Sequence, residues 1–465
     1  MVGPDYRAPT PEAQVGRITS GDTADAESAG IAAAKPVVSD WWKTLNDREL
    51  HNLVELVVDE NLDVKTAMSK VREARALRGI AASPLYPSLT LGGEVGPQGT
   101  GKQFHSSMTY NPGLELNWEI DVFGGLRRGV ESANAAIDAA IESRRDALVT
   151  ALGDVGLNYV ELRGEQRQLE IAKTNVALQE KSLALVEIKR KSGLASDLET
   201  AQAMTLLETT RATVPALEQQ IAQSIFRLSV LVGREPSALM SELSVPGPIP
   251  DLPPTIPIGL SSELLLRRPD LRKVERNMEV ACANLGVAVS DLYPKFALTG
   301  NINYQPAVGG KTAGQPVFFI GPSITWPIFN GFEVVENIHV MDARLEQAVL
   351  AYRSGILAAL QDVESSVTAY AKETVRHAVL LRAEAEAKKA ELLAEVQYRN
   401  GLVDFLNVIQ AESTLAGAQQ SLVTSEQTLL TDLIAVYKSL GGGWDVYEGR
   451  LADREAKPAE TELPK

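Results

Sequence analysis

The chain is written twice. SPLYPSLTLGG, beginning at Ser83, returns 207 residues later as SDLYPKFALTG, beginning at Ser290. Sliding the sequence along itself by about 208 residues extends the match over most of its length. ARALRGIAASPLYPSL pairs with ACANLGVAVSDLYPKF, which sets Gly79 against Gly286, Tyr86 against Tyr293 and Pro87 against Pro294. Phe123 and Gly125 pair with Phe329 and Gly331, and Asp154-Val155 with Asp362-Val363. GLASDLETAQA from Gly193 then pairs with GLVDFLNVIQA from Gly401. At 465 residues the chain is too long for one small core, and the duplication says how it divides. Residues 1–39 read as an extended arm, its 7–36 stretch rich in Ala, Gly, Ser, Thr and Asp. The first copy spans 40–232 and the second 261–444, with a tail at 445–465. Between the copies, 233–260 holds seven prolines and reads as an extended linker.

Each copy opens its repeat with period two. After Pro87, Leu89, Leu91 and Val95 share one parity, while Ser88, Thr90 and Glu94 share the other. Leu114, Leu116, Trp118, Ile120 and Val122 then alternate with Glu115, Asn117, Glu119 and Asp121. The second copy repeats this with Phe296, Leu298, Ile302 and Tyr304, then with Phe318, Ile320, Ile324, Trp326 and Ile328. The pattern predicts β-hairpins over 87–123 and 294–329, four strands in all. Such alternation suits a half-buried sheet in water and equally a barrel with lipid outside and water inside.

Each hairpin leads into helix of unusual length. No proline lies between Pro112 and Pro215 or between Pro327 and Pro458, so helices of ~65 residues, ~100 Å long, can form there. Leu148, Val155, Leu162, Leu169, Val176 and Leu183 recur every seven residues, and Leu207, Val214, Ile221 and Leu228 continue past Gly193. Leu415, Leu422, Leu429 and Val436 repeat the second ladder at the same offset. Period seven predicts coiled-coil packing, in helical hairpins over 124–232 and 330–440.

Four strands leave two open edges and cannot close a membrane barrel, whose smallest single-chain form has eight. Backbone groups in lipid must all be paired, so several chains must share one barrel. Two chains supply eight strands; three supply twelve, together with twelve long helices for a matching tube. A soluble coiled-coil scaffold is the competing class. It has no use for aliphatic and aromatic residues along all four outward strand faces without a covering layer. The formal charge of -15, from 45 Lys plus Arg against 60 Asp plus Glu, argues against nucleic acid as partner. No apolar run reaches the ~18 residues of a membrane-spanning helix.

The chain resembles the TolC-like outer-membrane efflux family, and within it the lipoprotein branch that serves resistance-nodulation-division tripartite pumps. The stretches that carry the resemblance are VGPDYRAP at Val2, DWWKTLNDRELHNLVELVVDENLDVKTA at Asp40, ELLLRRPDLRKVE at Glu263, NLGVAVSDLYP at Asn284 and SLGGGW at Ser439. The resemblance implies an α+β membrane protein, a homotrimer whose shared 12-stranded outer-membrane β-barrel joins a long periplasmic α-helical barrel. Residues 40–60, the linker and the C-terminal end would belt its middle. It implies passive transport of drugs or other small molecules, with a periplasmic adaptor (membrane fusion protein), an inner-membrane pump and outer-membrane lipid as partners. A duct for type I protein secretion shares the fold; VGPDY and LLLRRPD favour the pump-associated branch. Branch members carry a lipid-bearing cysteine just before the VGPDY-like stretch. Met1 stands there in this chain, which fits a mature chain without the acylated residue.

Features that mimic other chemistry fail on inspection. GPQGTGKQ at Gly96 has phosphate-loop spacing but lacks the Ser or Thr that holds magnesium, and GGKT at Gly309 lacks the leading glycine. Both read as hairpin tips. His51, His105, His339 and His377 fall in no metal-ligand spacing, and Cys282 reads as an unspecialised helix residue outside the deep core, because its counterpart in the first copy is Arg75. No catalytic constellation is visible, and no cofactor is implied.

The candidate site lies at the far ends of the helical hairpins. RKSGLASD from Arg190 aligns with YRNGLVDF from Tyr398, which predicts Gly193 and Gly401 in left-handed turns and Ser196 and Asp404 as caps of the returning helices. The resemblance implies that this end docks on an adaptor, through Gly193, Leu194, Ser196, Gly401, Leu402 and Val403. It also implies a constriction just inside the final helical hairpin, where many relatives place two aspartates three residues apart. Here those positions are Asn407 and Gln410; Glu199, aligned with Asn407, keeps a carboxylate, and Tyr398 is expected to narrow the opening.

Overall fold

The computed structural model describes residues 1–9, 31–32, 39–99, 106–253, 256–257, 267–305 and 315–456. Most of the arm, His105, the GGKT stretch and parts of the linker and tail lie outside the described residues. In chain order the helices are α1 (Arg48–Glu60), α2 (Leu62–Ala82), α3 (Gly125–Lys191), α4 (Asp197–Val232), α5 (Met240–Leu243), α6 (Pro269–Ser290), α7 (Glu333–Arg399), α8 (Phe405–Ser439) and α9 (Glu448–Ala456). Two compact units form, each from three segments of chain.

One unit comprises Met1–Thr10, Ser69–Ser143 and Asp270–Ile356. Its centre is a four-stranded antiparallel sheet in the order β1 (Ser88–Gly99), β2 (Ser106–Ile120), β3 (Lys295–Gln305) and β4 (Gln315–Thr325). The predicted alternation sets the register: Leu89 faces Leu116, Trp118 faces Leu298 and Phe296 faces Ile324. Among the described residues, both outer strands keep one edge unpaired within the chain. Leu91 and Phe318, each 76% exposed, show how little the chain itself covers this sheet.

The structure corrects the alignment after the second strands. Trp118 donates its indole N–H to the Leu85 carbonyl at 3.0 Å, and Trp326 does the same to Leu292 at 3.1 Å. These strands are therefore related by 208 residues, and Phe123 corresponds to Gly331, not to Phe329. Gly124, with φ +89°, then corresponds to Phe332, with φ +69°. A bulky side chain in the left-handed region is strained, and the shared chain reversal before the long helix is what demands it.

Cys282 is also corrected. It lies on α6 and is buried, with its Sγ 3.7 Å from the Pro4 carbonyl. The N-terminal segment can lie over one copy only, so the counterpart Arg75 has no such cover. Buried Arg128 holds that segment down, bonding Asp5 at 2.6 Å and reaching the Val2 and Gly3 carbonyls. Burial pushes the Cys282 thiol up in pKa, away from reactivity.

The other unit comprises Pro11–Met68, Arg144–Pro269 and Leu357–Lys465, so α2, α3 and α7 contribute to both. The helices α3 and α7 are each 67 residues long, as the proline-free stretches predict. The helix α4 continues through Pro215, as the ladder from Leu207 to Leu228 running past it predicts. That proline is exposed, so water can satisfy the carbonyl its missing N–H leaves free.

The main core of this unit gathers around Trp41 and Trp42. Trp41 stacks on Tyr437 with ring centroids 5.8 Å apart, and Trp42 on Tyr447 at 5.7 Å. Gly156 lets α3 approach, because a Cβ there would stand 2.7 Å from the Trp41 ring. Leu148, Val155 and Leu162 of the heptad ladder enter this core with Leu228, Leu429 and Val436. Asp47 caps α1 at the Leu50 N–H and also accepts the Tyr159 hydroxyl at 2.7 Å. The C-terminal helix α9 is fastened by buried Arg144, which bonds Glu448 at 2.8 Å and Glu455 at 2.5 Å. Trp42 is 0% exposed, so Trp42→Ala leaves a large cavity. It should cost about 3–5 kcal/mol, measured as a clear fall in melting temperature in detergent; an unchanged transition would refute the structural weight of this core.

Candidate functional site at the helical hairpin tips

The tips are built twice from one plan. Gly193, with φ +74°, ends α3, and Leu194 N–H bonds the Lys189 carbonyl at 2.8 Å. Gly401, with φ +75°, ends α7, and Leu402 N–H bonds the Gln397 carbonyl at 2.9 Å. These six-to-one bonds across a left-handed glycine satisfy carbonyls that a helix end leaves open. The next turn separates the copies. Ser196 accepts the Glu199 N–H at 3.2 Å while Glu199 takes the Ser196 N–H at 2.7 Å, a full capping box. Asp404 occupies the same position before α8, yet among the described residues its side chain makes no capping bond. Asn407 turns back instead, its Nδ2 donating to the Asp404 carbonyl at 3.3 Å.

Beneath the turns lies a small apolar core of Val186, Ala203, Tyr398, Phe405 and Val408. Tyr398, expected at the opening, is 4% exposed and packs inside this core, its ring 5.1 Å from Phe405. An aromatic ring between two pairs of helices gains more from burial than from facing water. Lys189 lies above it, Nζ 3.8 Å from the ring centre and donating to the Tyr398 carbonyl at 2.5 Å. Burial, with Glu199 nearby, pushes the Tyr398 phenol up. Asn407 and Gln410 stay exposed on α8, and no hydrogen bond joins either to Glu199 among the described residues. Val403 is half-buried, whereas Leu194 and Leu402 are 77% and 73% exposed. Two further exposed leucines, Leu198 and Leu406, complete the apolar tip. They also lie 208 residues apart, so the repeat offset that finds Leu194 and Leu402 finds them too.

Sequence reasoning also missed the polar seam between α3 and α8. Asp154 bonds Lys438 at 3.2 Å, Gln168 bonds Gln427 at 3.2 Å, Asn175 bonds Gln419 at 3.3 Å and Ser182 donates to Glu412 at 2.6 Å. These α3 positions keep the seven-residue spacing, one residue before Val155, Leu169, Val176 and Leu183 of the apolar ladder. Glu412 therefore turns inward rather than toward Gln410, and burial raises its pKa, helped by Glu391 and Glu395.

A second buried carboxylate site marks where the copies diverge. Glu165 accepts the Ser224 hydroxyl at 2.7 Å. Glu373, its counterpart, accepts from Ser425, and Asp432 replaces Ser224 at the equivalent position. Burial, then the neighbouring Glu373, raises Asp432 from 3.8 to about 6. Because the folded chain holds this proton more tightly than the unfolded one, the contribution is full below the unfolded value of 3.8 and is lost as pH rises through about 6. Asp432→Asn should melt higher than the parent at pH 7.5 and close to it at pH 4. An equal gap at both pH values would rule out Asp432 as the titrating group.

The sequence profile of the outer membrane efflux protein family matches twice, over residues 53–234 and 260–442, and the chain belongs to that family. The pyoverdine export outer membrane protein OpmQ of Pseudomonas putida KT2440 is 30% identical, over 87% of this chain and 88% of its own. Nodulation protein T of Rhizobium leguminosarum bv. viciae is 29% identical, over 99% and 93%. The outer-membrane channel OprN superposes with a TM-score of 0.85 at 31% identity, over 95% of this chain and 99% of that one. The open-state MtrE channel of Neisseria gonorrhoeae superposes at 0.78 with 25% identity, over 95% and 98%. The protein is an outer-membrane efflux duct with a periplasmic helical tunnel, of a family of channel-forming proteins rather than enzymes. Channels of this family work with adaptor and inner-membrane pump partners.

Proposed function

We propose that the duct is a homotrimer in which three four-stranded sheets close one twelve-stranded barrel in outer-membrane lipid. It passively conducts small molecules handed over by a periplasmic adaptor and a resistance-nodulation-division pump. The observation that carries this reading is the sheet itself, with two edges unpaired among the described residues and apolar side chains exposed along its strands. Small-molecule cargo is supported by the relatives, one named for pyoverdine export and another, SrpC of Pseudomonas putida at 28% identity, for solvent efflux. Gly193, Leu194, Ser196, Gly401, Leu402 and Val403 form the adaptor face, now joined by Leu198 and Leu406. Four leucines clustered at the hairpin ends, each at least 60% exposed, support a docking role, because large exposed apolar groups in water mark contact surfaces.

The gate reading assigns Asn407 and Gln410 to the tunnel mouth as uncharged groups able to hydrogen-bond across a threefold axis. Tyr398 acts from behind, anchoring the tip through Phe405 and Lys189. Glu199 supplies the remaining negative charge while capping α4. In planar bilayers, Glu199→Gln should weaken cation selectivity more than Asn407→Ala, and Asn407→Ala or Gln410→Ala should raise the open probability. Unchanged gating in both amide variants would remove the constriction from these positions.

The docking reading has its own test. Leu194→Asp and Leu402→Asp should abolish efflux in cells lacking the native duct, while light scattering in detergent still finds trimers. Full efflux by both variants would reduce the tips to helix caps.

A further inference from the structure

The two helical hairpins answer the acids along their lengths with different chemistry. In the first copy, permanent cations stand among the carboxylates. Glu218 of α4 pairs with Lys173 of α3 at 3.3 Å, and Glu161 of α3 pairs with Arg227 of α4 at 3.2 Å. Arg227 also donates to the Ser224 hydroxyl at 2.9 Å, and that hydroxyl donates to Glu165. Burial raises the pKa of Glu165, but Ser224 and Arg227 work against the rise. Lysine and arginine keep their charge throughout the neutral range.

At the offset of 208 the second copy has lost both cations. Lys173 becomes Leu381 and Arg227 becomes Ala435, while Glu218 persists as Glu426 and Glu165 as Glu373. Two titrating groups take the vacated roles, since Leu169 becomes His377 and Ser224 becomes Asp432. On α7, the buried Nε2 atom of His377 has no hydrogen-bond partner among the described residues, and it stands 3.9 Å from the Glu426 carboxylate on α8. That is too long for a hydrogen bond, yet within reach of an ion pair once the ring is charged. Asp432 of α8 meets a like charge, Glu373 of α7. Glu373 is itself engaged by Ser425 and by Arg376, the latter at 3.1 Å. Lys372 lies exposed on the same stretch of α7, and on α3 and α4 the groups Glu161, Glu165 and Arg227 are engaged around Ser224.

We infer that α7 and α8 carry a proton-operated clasp that α3 and α4 do not share. A proton on His377 turns an unanswered ring nitrogen into one half of an ion pair with Glu426. A proton on Asp432 removes its repulsion by Glu373. Both steps bind the same two helices together, so the clasp is made in acid and released in base. Its Asp432 share is complete below 3.8 and is lost as pH rises through about 6. The consequence rests on the duct reading. A tunnel hairpin held in acid yields less readily, so passage through the duct falls as the periplasm is acidified.

Amide hydrogen exchange of the detergent-purified protein at pH 5.5 and 7.5, corrected for intrinsic exchange, tests the clasp. Protection of residues 369–383 and 423–435, divided by that of 161–175 and 215–227, should fall by about fivefold or more between the two pH values. The triple variant His377→Leu, Leu381→Lys, Asp432→Ser gives the second hairpin the residues of the first, and should hold that ratio within about twofold. His377→Gln and Asp432→Asn, each alone, should remove part of the fall, which keeps the test open if the triple variant fails to fold. In planar bilayers the parent should conduct about half as well at pH 5.5 as at pH 7.5, and the triple variant should lose that difference. A ratio that ignores pH in the parent overturns the clasp, and a fall undiminished in every variant overturns its assignment to these residues. A clasp seen by exchange without any change in conductance overturns its control of passage alone. A protein that conducts at neither pH contradicts the duct reading itself.

Discussion

Backbone groups that the chain cannot pair by itself dictate the rest of its structure. Among the described residues, the sheet of β1 to β4 ends in two open edges, and its strands carry Leu89, Leu91, Phe318 and Ile320 out into the surroundings. In water such a sheet aggregates, and in lipid each orphaned N–H and C=O costs several kcal/mol. Closure with further copies, as proposed, removes both costs, and the shared-barrel reading extends the same symmetry to the helices. Two helical hairpins per chain, built on one heptad register, are what a tube needs if each chain supplies an equal share of its wall.

Much of this is legible in the amino-acid sequence, because the features involved are periodic. Period two in Leu114 to Val122, period seven in Leu148 to Leu183 and the repeat of about 208 residues each report a geometry directly. The hidden features depend on one-of-a-kind contacts. Cys282 reads as superficial because its counterpart is Arg75, yet the N-terminal segment covers it. Residue type pairs Phe123 with Phe329, whereas backbone geometry pairs Gly124 with Phe332. Tyr398 is expected at an opening and is packed inside, because its place depends on Phe405 and Lys189, which no spacing rule connects to it. The polar seam from Asp154 to Ser182 is readable in principle, one position before the apolar ladder.

The two copies have kept their frame and diverged in chemistry. At the tips, the Ser196–Glu199 capping box faces an Asp404–Asn407 turn without a side-chain cap among the described residues. In the helices, the Glu165–Ser224 pair faces Glu373 with Asp432. At the tips the second copy lacks the side-chain cap of the first; in the helices it keeps a serine on Glu373 and adds Asp432, whose pKa burial raises.

The central claim is that the chain's open edges are closed by other copies, and amide hydrogen exchange of the detergent-purified protein reads those edges directly. The account predicts that residues 88–99 and 315–325 exchange as slowly as the central strands at 106–120 and 295–305. Edge strands that exchange orders of magnitude faster than the central pair would mean an open sheet, and would contradict it.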